Sequence, residues 1–323
     1  MEDNSRDTEF DEMISIELEN DELVRLVTSN ADVASQYVIF QNSEDDYFAI
    51  NVAKVEELIE YFKLDITKTT TNSGAMVGTA KIREHFVNIV CFDTWLDVKK
   101  KDDSEYELAI LCDYAGVRLA IVVKNVYRVI NIEPSEMYDD SDKDGKIAYL
   151  CEIVVNSKKI LCKVFNSDQF LADVMPNKFA RELEKSETLE VEDSELLKKE
   201  ILLAEDSVLI QTAIKKLMDK MELSYQIFDN GKKLLKYLKK LDEDELEDIG
   251  LIITDLEMPV MGGLELLERC SKNINFSKIP IVVNTNMANA SITNTAEKLG
   301  AKEVIKKLDL VTLKEVILKY AKR

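Results

Sequence analysis

A chain of 323 residues with 46% hydrophobic and 32% charged side chains carries enough apolar material for about two ordinary cores, which excludes wholesale disorder. Nine glycines and four prolines exclude collagen-like and low-complexity architectures. There is no run of about 18 uncharged apolar residues and the N-terminus is acidic, so the chain reads as soluble and cytoplasmic, with neither a membrane span nor a secretory signal.

The net charge of −20 lies almost wholly on residues 1–197, because residues 198–323 come to about +1. A surface that negative repels phosphate backbones and anionic lipid. Nucleic acid and direct membrane insertion are therefore disfavoured, and proteins with basic patches are the better partners. Cys91, Cys112, Cys151, Cys162 and Cys270 are odd in number and show no C-x-x-C pair, so they read as buried thiols. The single histidine, His85, is too little for a zinc site or a Ser-His-Asp triad.

Residues 1–29 form an acidic lead-in, with a short helix predicted around Asp21–Val27. Three strand pairs follow: Tyr37–Phe40 with Tyr47–Val52, Leu108–Cys112 with Val117–Val123, and Cys151–Val155 with Ile160–Val164. Polar turns separate each pair, and Phe86–Phe92 adds a further strand, which predicts a small all-β domain of barrel type over residues 30–180. One helix is predicted inside it, because Val55, Leu58, Ile59 and Phe62 recur at helical spacing. Residues 181–198 are strongly acidic and read as a linker.

From residue 199 to 323 the pattern changes to alternating strands and helices. Apolar runs at Ile201–Ala204, Tyr225–Phe228, Leu251–Thr254, Ile279–Val283 and Val304–Ile305 are interleaved with five amphipathic stretches. This predicts a doubly wound, five-stranded parallel sheet. Its site should lie outside the carboxyl ends of the strands. Those ends carry Glu205-Asp206, Asp255, Thr285 and Lys306-Lys307. Adjacent carboxylates are costly unless a cation joins them, and an oxygen-only pocket suits Mg²⁺. Asp255, at the end of the central strand, is placed to act as a nucleophile toward a phosphoryl group. Lys307 would balance charge on the phosphoryl oxygens, and Thr285 would hydrogen-bond one of them.

The run Asp255-Leu-Glu-Met-Pro-Val-Met-Gly-Gly, with the acidic pair, the threonine and the lysine, resembles response-regulator receiver domains, which have a flavodoxin-like fold. The resemblance implies that Asp255 is the phosphoacceptor. It also implies that Asp206 and Asp255 bind Mg²⁺ directly, that Glu205 holds it through water, and that the Glu257 backbone carbonyl completes the site. Three departures stand out. Leu308 replaces the usual proline and puts the usual cis bond in doubt. Asn286 follows Thr285 where a small residue is common, which is expected to narrow access to the acyl phosphate. Glu257 sets an acid beside the site. A hydrolysis rate unlike that of a fast-cycling receiver follows as an expectation.

Residues 30–178 are similar to CheW-like coupling domains, a family of paired small β-barrels, through Gln36–Gln41, Tyr47–Leu58, Gly78–Arg83 and Leu108–Ile132. Glu84 and Cys91 depart from the common pattern, and Arg83 is a candidate partner-binding residue. Together the two halves resemble CheV-type chemotaxis coupling proteins. That resemblance implies a regulatory scaffold, not an enzyme, that couples the cytoplasmic tails of methyl-accepting chemoreceptors to the CheA histidine kinase. It would sit at receptor arrays on the inner face of the membrane, with phosphorylation of Asp255 modulating the coupling. The alternative within this reading is a phosphate sink that leaves coupling unchanged. A haloacid-dehalogenase-type enzyme is disfavoured because Glu257 stands where a second aspartate is wanted. A DNA-binding output is disfavoured because no residues follow 323.

Overall fold

The computed structural model describes residues 35–68, 74–99, 101–114, 116–139, 145–177, 180, 181, 184, 199–287 and 290–321. The chain divides into two units, residues 1–131 and 132–323. The expected acidic lead-in with its short helix lies outside the described residues, as does the linker apart from residues 181 and 184. Among the described residues, no helix is long and apolar enough to cross a membrane.

The first unit begins with a hairpin of β1 (Gln36–Gln41) and β2 (Tyr47–Asn51). Asn42 makes the turn by accepting the backbone N–H groups of Glu44 and Asp46 at 3.1 and 2.9 Å, the local bonding that suits Asn to turns. Next come β3 (Val55–Glu60), β4 (Ile66–Thr67), β5 (Met76–Ile82), β6 (His85–Cys91) and α1 (Phe92–Trp95). The unit ends with β7 (Leu108–Tyr114), β8 (Val117–Val123) and β9 (Asn125–Asn131), the last pairing antiparallel with β1. A mixed sheet runs β3-β7-β8-β6-β5-β4, and only its β6–β8 pair is parallel. Fully buried Phe40 of β1, Phe48 of β2 and Phe92 of α1 form an aromatic cluster in this unit, with edge-to-face rings 5.0 and 4.9 Å from Phe92.

The helix predicted over Val55–Phe62 is a strand. Val55–Glu60 pairs antiparallel with β7, and the register slips between Val55 and Glu57. A bulge of that kind puts an extra residue into a period-2 pattern. Val55 and Leu58 thereby fall at a spacing that imitates a helix, while Phe62 is 77% exposed and belongs to no core face.

The second unit opens with β10 (Tyr138–Asp139), β11 (Ile147–Val155) and β12 (Lys158–Phe165), paired antiparallel in sequence. Helix α2 (Ser167–Val174) follows, capped by Asn166, whose side chain accepts from the backbone of Asp168 and Gln169. Its Phe170 ring is fully buried against Phe165, 5.6 Å away.

The remaining elements alternate: β13 (Glu200–Ala204), α3 (Val208–Lys220), β14 (Tyr225–Phe228), α4 (Gly231–Leu238), α5 (Glu243–Glu247) and β15 (Ile249–Thr254). They continue through α6 (Gly263–Ser271), β16 (Ile281–Thr285), α7 (Ala290–Lys298), β17 (Glu303–Lys306) and α8 (Leu310–Tyr320). The five strands form one parallel sheet in the order β14-β13-β15-β16-β17, the flavodoxin-like order 2-1-3-4-5. β15 is buried along its whole length, as a central parallel strand must be when helices cover both faces. Ile210, Ile214 and Leu217 of α3 pack with Leu313 and Ile317 of α8 on one face.

Candidate functional site

The parallel sheet decides where the polar strand ends go. With all five strands pointing the same way, the residue after each apolar run emerges on one edge. Asp255 follows β15 and stays in the ladder, its N–H donating to the Ala204 carbonyl at 2.9 Å. Glu205 follows β13, Thr285 closes β16 and Lys307 follows β17. The Lys307 N–H reaches the Thr285 carbonyl at 3.3 Å, tying the last two strand ends together.

The chain then has to turn sharply after Asp255, and two glycines allow it. A Cβ on Gly263 would lie 2.1 Å from the Asp255 carbonyl oxygen, and one on Gly262 would lie 2.7 Å from the Leu256 carbonyl oxygen. Only residues without side chains let α6 begin this close to the acceptor strand. Val260, in the same loop, has a φ of +67° and donates its N–H to the Pro134 carbonyl at 2.7 Å.

Lys307 is the hub of the site. Its buried ammonium donates to Asp255 Oδ2 at 2.9 Å, Glu205 Oε1 at 3.0 Å and Asp168 Oδ2 at 2.9 Å. Asp255 Oδ1 accepts the Leu256 N–H at 2.7 Å, and Glu205 Oε1 also accepts the Ser207 N–H at 3.1 Å. Thr285 is buried, with its hydroxyl oxygen accepting the Met287 N–H at 3.2 Å. Asp206 is half-buried at the rim.

The charge balance follows from this packing. Burial pushes Glu205 well above the ordinary carboxylate range, with Asp255 and Asp168 adding to the rise and Lys307 opposing it. Burial likewise raises Asp206, to about 7, and raises Asp255. For Lys307 burial alone would lower the pKa, but Asp168, Asp255, Glu205 and Asp206 together hold it well above the ordinary lysine value. One cation among four carboxylates leaves an excess of negative charge.

That excess is what a divalent cation would relieve. Glu205, Asp206 and Asp255 each offer a carboxylate oxygen, all within 4.8 Å of one another. Glu205 Oε2 is buried without a hydrogen-bond partner, which is costly for an oxygen left unpaired and suits an oxygen-only Mg²⁺ site. The residues present therefore fit the metal expected from the sequence. Glu257 is half-buried two residues beyond Asp255.

The structure brings Asp255, Thr285, Lys307, Glu205 and Asp206 to one edge, as the strand ends predict. Arg83 is elsewhere, in the first unit. It occupies the two-residue turn between β5 and β6 with a φ of +52°, its side chain 75% exposed and ion-paired with Glu57 at 2.8 Å. His85 is an exposed residue at the start of β6. The described peptide bonds are all trans, including the one after Lys307.

Two site residues escape a reading of strand ends. Asp168 comes from α2 and is nine-tenths buried against Lys307. Asn286, expected only to narrow access, donates its side-chain N–H to Asp168 Oδ1 at 2.6 Å. The available signal was the run Asn166-Ser167-Asp168, an N-cap followed by Phe170 and Val174 at helical spacing.

Residues 201–318 match the response regulator receiver domain, and residues 36–172 match the CheW-like domain. The chain is 25% identical over 301 residues to chemotaxis protein CheV2 of Helicobacter pylori, covering 88% of this chain and 94% of that one. It is 27% identical over 291 residues to CheV1 of the same organism, covering 85% and 89%. Among solved structures, the scaffolding protein CheW from Thermoanaerobacter tengcongensis aligns with 14% identity and a TM-score of 0.35, over 41% of this chain and 88% of that one. The receiver domain of a sensor histidine kinase from Pseudomonas aeruginosa aligns with 18% identity and a TM-score of 0.34, over 38% and 97%.

Proposed function

We propose that this chain, which belongs to the CheV family of CheW-like domains joined to receiver domains, is a chemotaxis signalling adaptor that couples chemoreceptor tails to a CheA-type histidine kinase under control of phosphorylation at Asp255. The observation that carries this reading is the strand-end cluster: a nucleophilic carboxylate on the central strand, one buried ammonium, and three carboxylate oxygens close enough to share a cation.

In the proposed reaction an Asp255 carboxylate oxygen attacks phosphorus and forms the O–P bond. The P–N bond to the donor phosphohistidine breaks, and its electron pair returns to the imidazole nitrogen. Lys307 stabilises charge on the phosphoryl oxygens, and Thr285 offers its hydroxyl to one of them. Mg²⁺, which Glu205, Asp206 and Asp255 would hold with the Glu257 carbonyl, supplies positive charge beside the reacting oxygens when bound. Replacing the single charge of the Asp255 carboxylate by a phosphoryl group of about −1.5 to −2 then shifts the adaptor between two binding states.

The test is affinity for the kinase regulatory domain and for a receptor tail, with and without beryllofluoride plus Mg²⁺, with Asp255→Ala as control. A change of about tenfold, corresponding to about 1.4 kcal/mol of coupling, that vanishes in the variant supports the proposal. Tight binding indifferent to the mimic would make the receiver a phosphate sink. No binding to either partner would refute the coupling role.

A further inference from the structure

We propose that Asp168 is a built-in competitor for the phosphoryl position: pinned by Asn286, its carboxylate holds the Lys307 donor that a phosphoryl group on Asp255 requires, and loading the site expels it and releases helix α2. This rests on Asp255 being the phosphoacceptor.

The first argument is a count of donors. A lysine ammonium has three N–H groups, and all three of Lys307 are taken, by Asp255, Glu205 and Asp168. A phosphoryl group brings further anionic oxygens to the same point, so one existing acceptor must leave. Asp255 is the group being modified, and Glu205 belongs to the oxygen set that suits the metal. Asp168 alone comes from outside the alternating strands and helices, on a helix in the segment that matches the CheW-like domain.

The second argument is charge. With Lys307 shared among Asp168, Asp255 and Glu205, a phosphoryl group carrying about −1.5 to −2 would face the Asp168 carboxylate across a single ammonium. In a buried site that repulsion is poorly screened. Asp168 then has to share its cation with a stronger anion, and the Asn286 side chain that donates to it at 2.6 Å is neutral and offsets none of that charge.

The third argument is that the same segment touches the site twice. Besides Asp168, the Pro134 carbonyl holds the Val260 N–H in the loop that follows Asp255. Both contacts lie within the second unit. α2 is only eight residues long, and Asp168, in its first turn, ties it directly to the buried ammonium. The Asn286 departure thereby acquires a use: a small residue after Thr285 could not hold Asp168.

The full-length chain can be tested with beryllofluoride and Mg²⁺ in four forms: wild type, Asp168→Ala, Asp168→Asn and Asp255→Asn. Beryllofluoride affinity is read by calorimetry, and amide hydrogen exchange over residues 167–175 is read by mass spectrometry. Both Asp168 variants should bind about tenfold more tightly than wild type. In wild type, saturation should speed exchange of the Phe170 and Met175 amides, which now bond the Asn166 and Leu171 carbonyls. In Asp168→Asn these amides should exchange quickly before any beryllofluoride is added. The asparagine variant keeps the shape, so it serves if the alanine variant fails to fold. Affinities within twofold of wild type, with binding abolished in Asp255→Asn, would overturn the competitor role and leave the phosphoacceptor intact. Unchanged wild-type exchange on saturation would also overturn it. Absence of binding in every form would overturn the phosphoacceptor reading and the competitor with it.

Discussion

Replacing Lys307 by methionine removes the buried cation that pairs with Asp168, Asp255 and Glu205 together. Each contact at about 3 Å is worth roughly 5–6 kcal/mol of gross attraction at an effective dielectric near 20, set against several kcal/mol for stripping water from the ammonium. Because truncation leaves buried carboxylates facing one another, the net loss should be about 3–5 kcal/mol near neutral pH. A unit of this size shifts its midpoint by roughly 2–4 °C per kcal/mol, so melting should fall by about 6–20 °C. The deficit should also depend on pH. Glu205, Asp206 and Asp255 already sit above their ordinary values through burial, and Lys307 is what holds them down. Without it they rise further, and the folded state then binds more protons than the unfolded one above about pH 4. Stability of the variant should therefore drop as pH rises, by up to about 1.4 kcal/mol per unit for each proton. Circular dichroism at the helical minimum follows this unit, since the described part of the first unit holds only the four-residue α1. Melts in EDTA at about pH 5 and about pH 8 give the comparison, and added Mg²⁺ should recover part of the loss. A drop of less than about 3 °C, or a deficit equal at both pH values, would refute the account of Lys307 as the buried counter-ion of this cluster.

Gly263→Ala should cost about 2–4 kcal/mol and at least a tenfold loss of beryllofluoride affinity, because its Cβ would meet the Asp255 carbonyl oxygen at 2.1 Å; unaltered melting and binding would contradict that close approach. Phe92→Ala should cost about 3–5 kcal/mol, read by denaturation followed through Trp95, the chain's single tryptophan, whose ring lies 5.6 Å from Phe92. A loss below about 1 kcal/mol would mean that this aromatic centre can collapse around the cavity. All five cysteines are buried, so reagents should reach none of them quickly in the folded chain and all five after denaturation; rapid labelling without denaturant would show that a core opens readily.

The receiver half was legible because its strands are buried on both faces. Ile252, Ile253 and Val283 sit in unbroken apolar runs, so the first polar residue after each run marks a strand end, and a parallel sheet gathers such ends on one edge. Asp255, Thr285 and Lys307 are therefore placed together by the sequence pattern itself. The β-rich half was legible where polar turns separate its hairpins, as at Asn42–Asp46. It misled at Val55–Phe62, where a register slip converts strand alternation into an apparent helical period. β4, β5, β9 and β10 were missed as elements, being short or only partly buried.

The sequence by itself determined the two folds and the chemistry at the strand ends, because burial writes a local period and the motif around Asp255 is contiguous. Only the tertiary structure brought Asp168 to Lys307 and Asn286, across 139 and 118 positions of chain. No period or motif spans that distance. An acid near the start of a short helix looks like any solvated side chain until folding takes away its water and sets it against a buried ammonium.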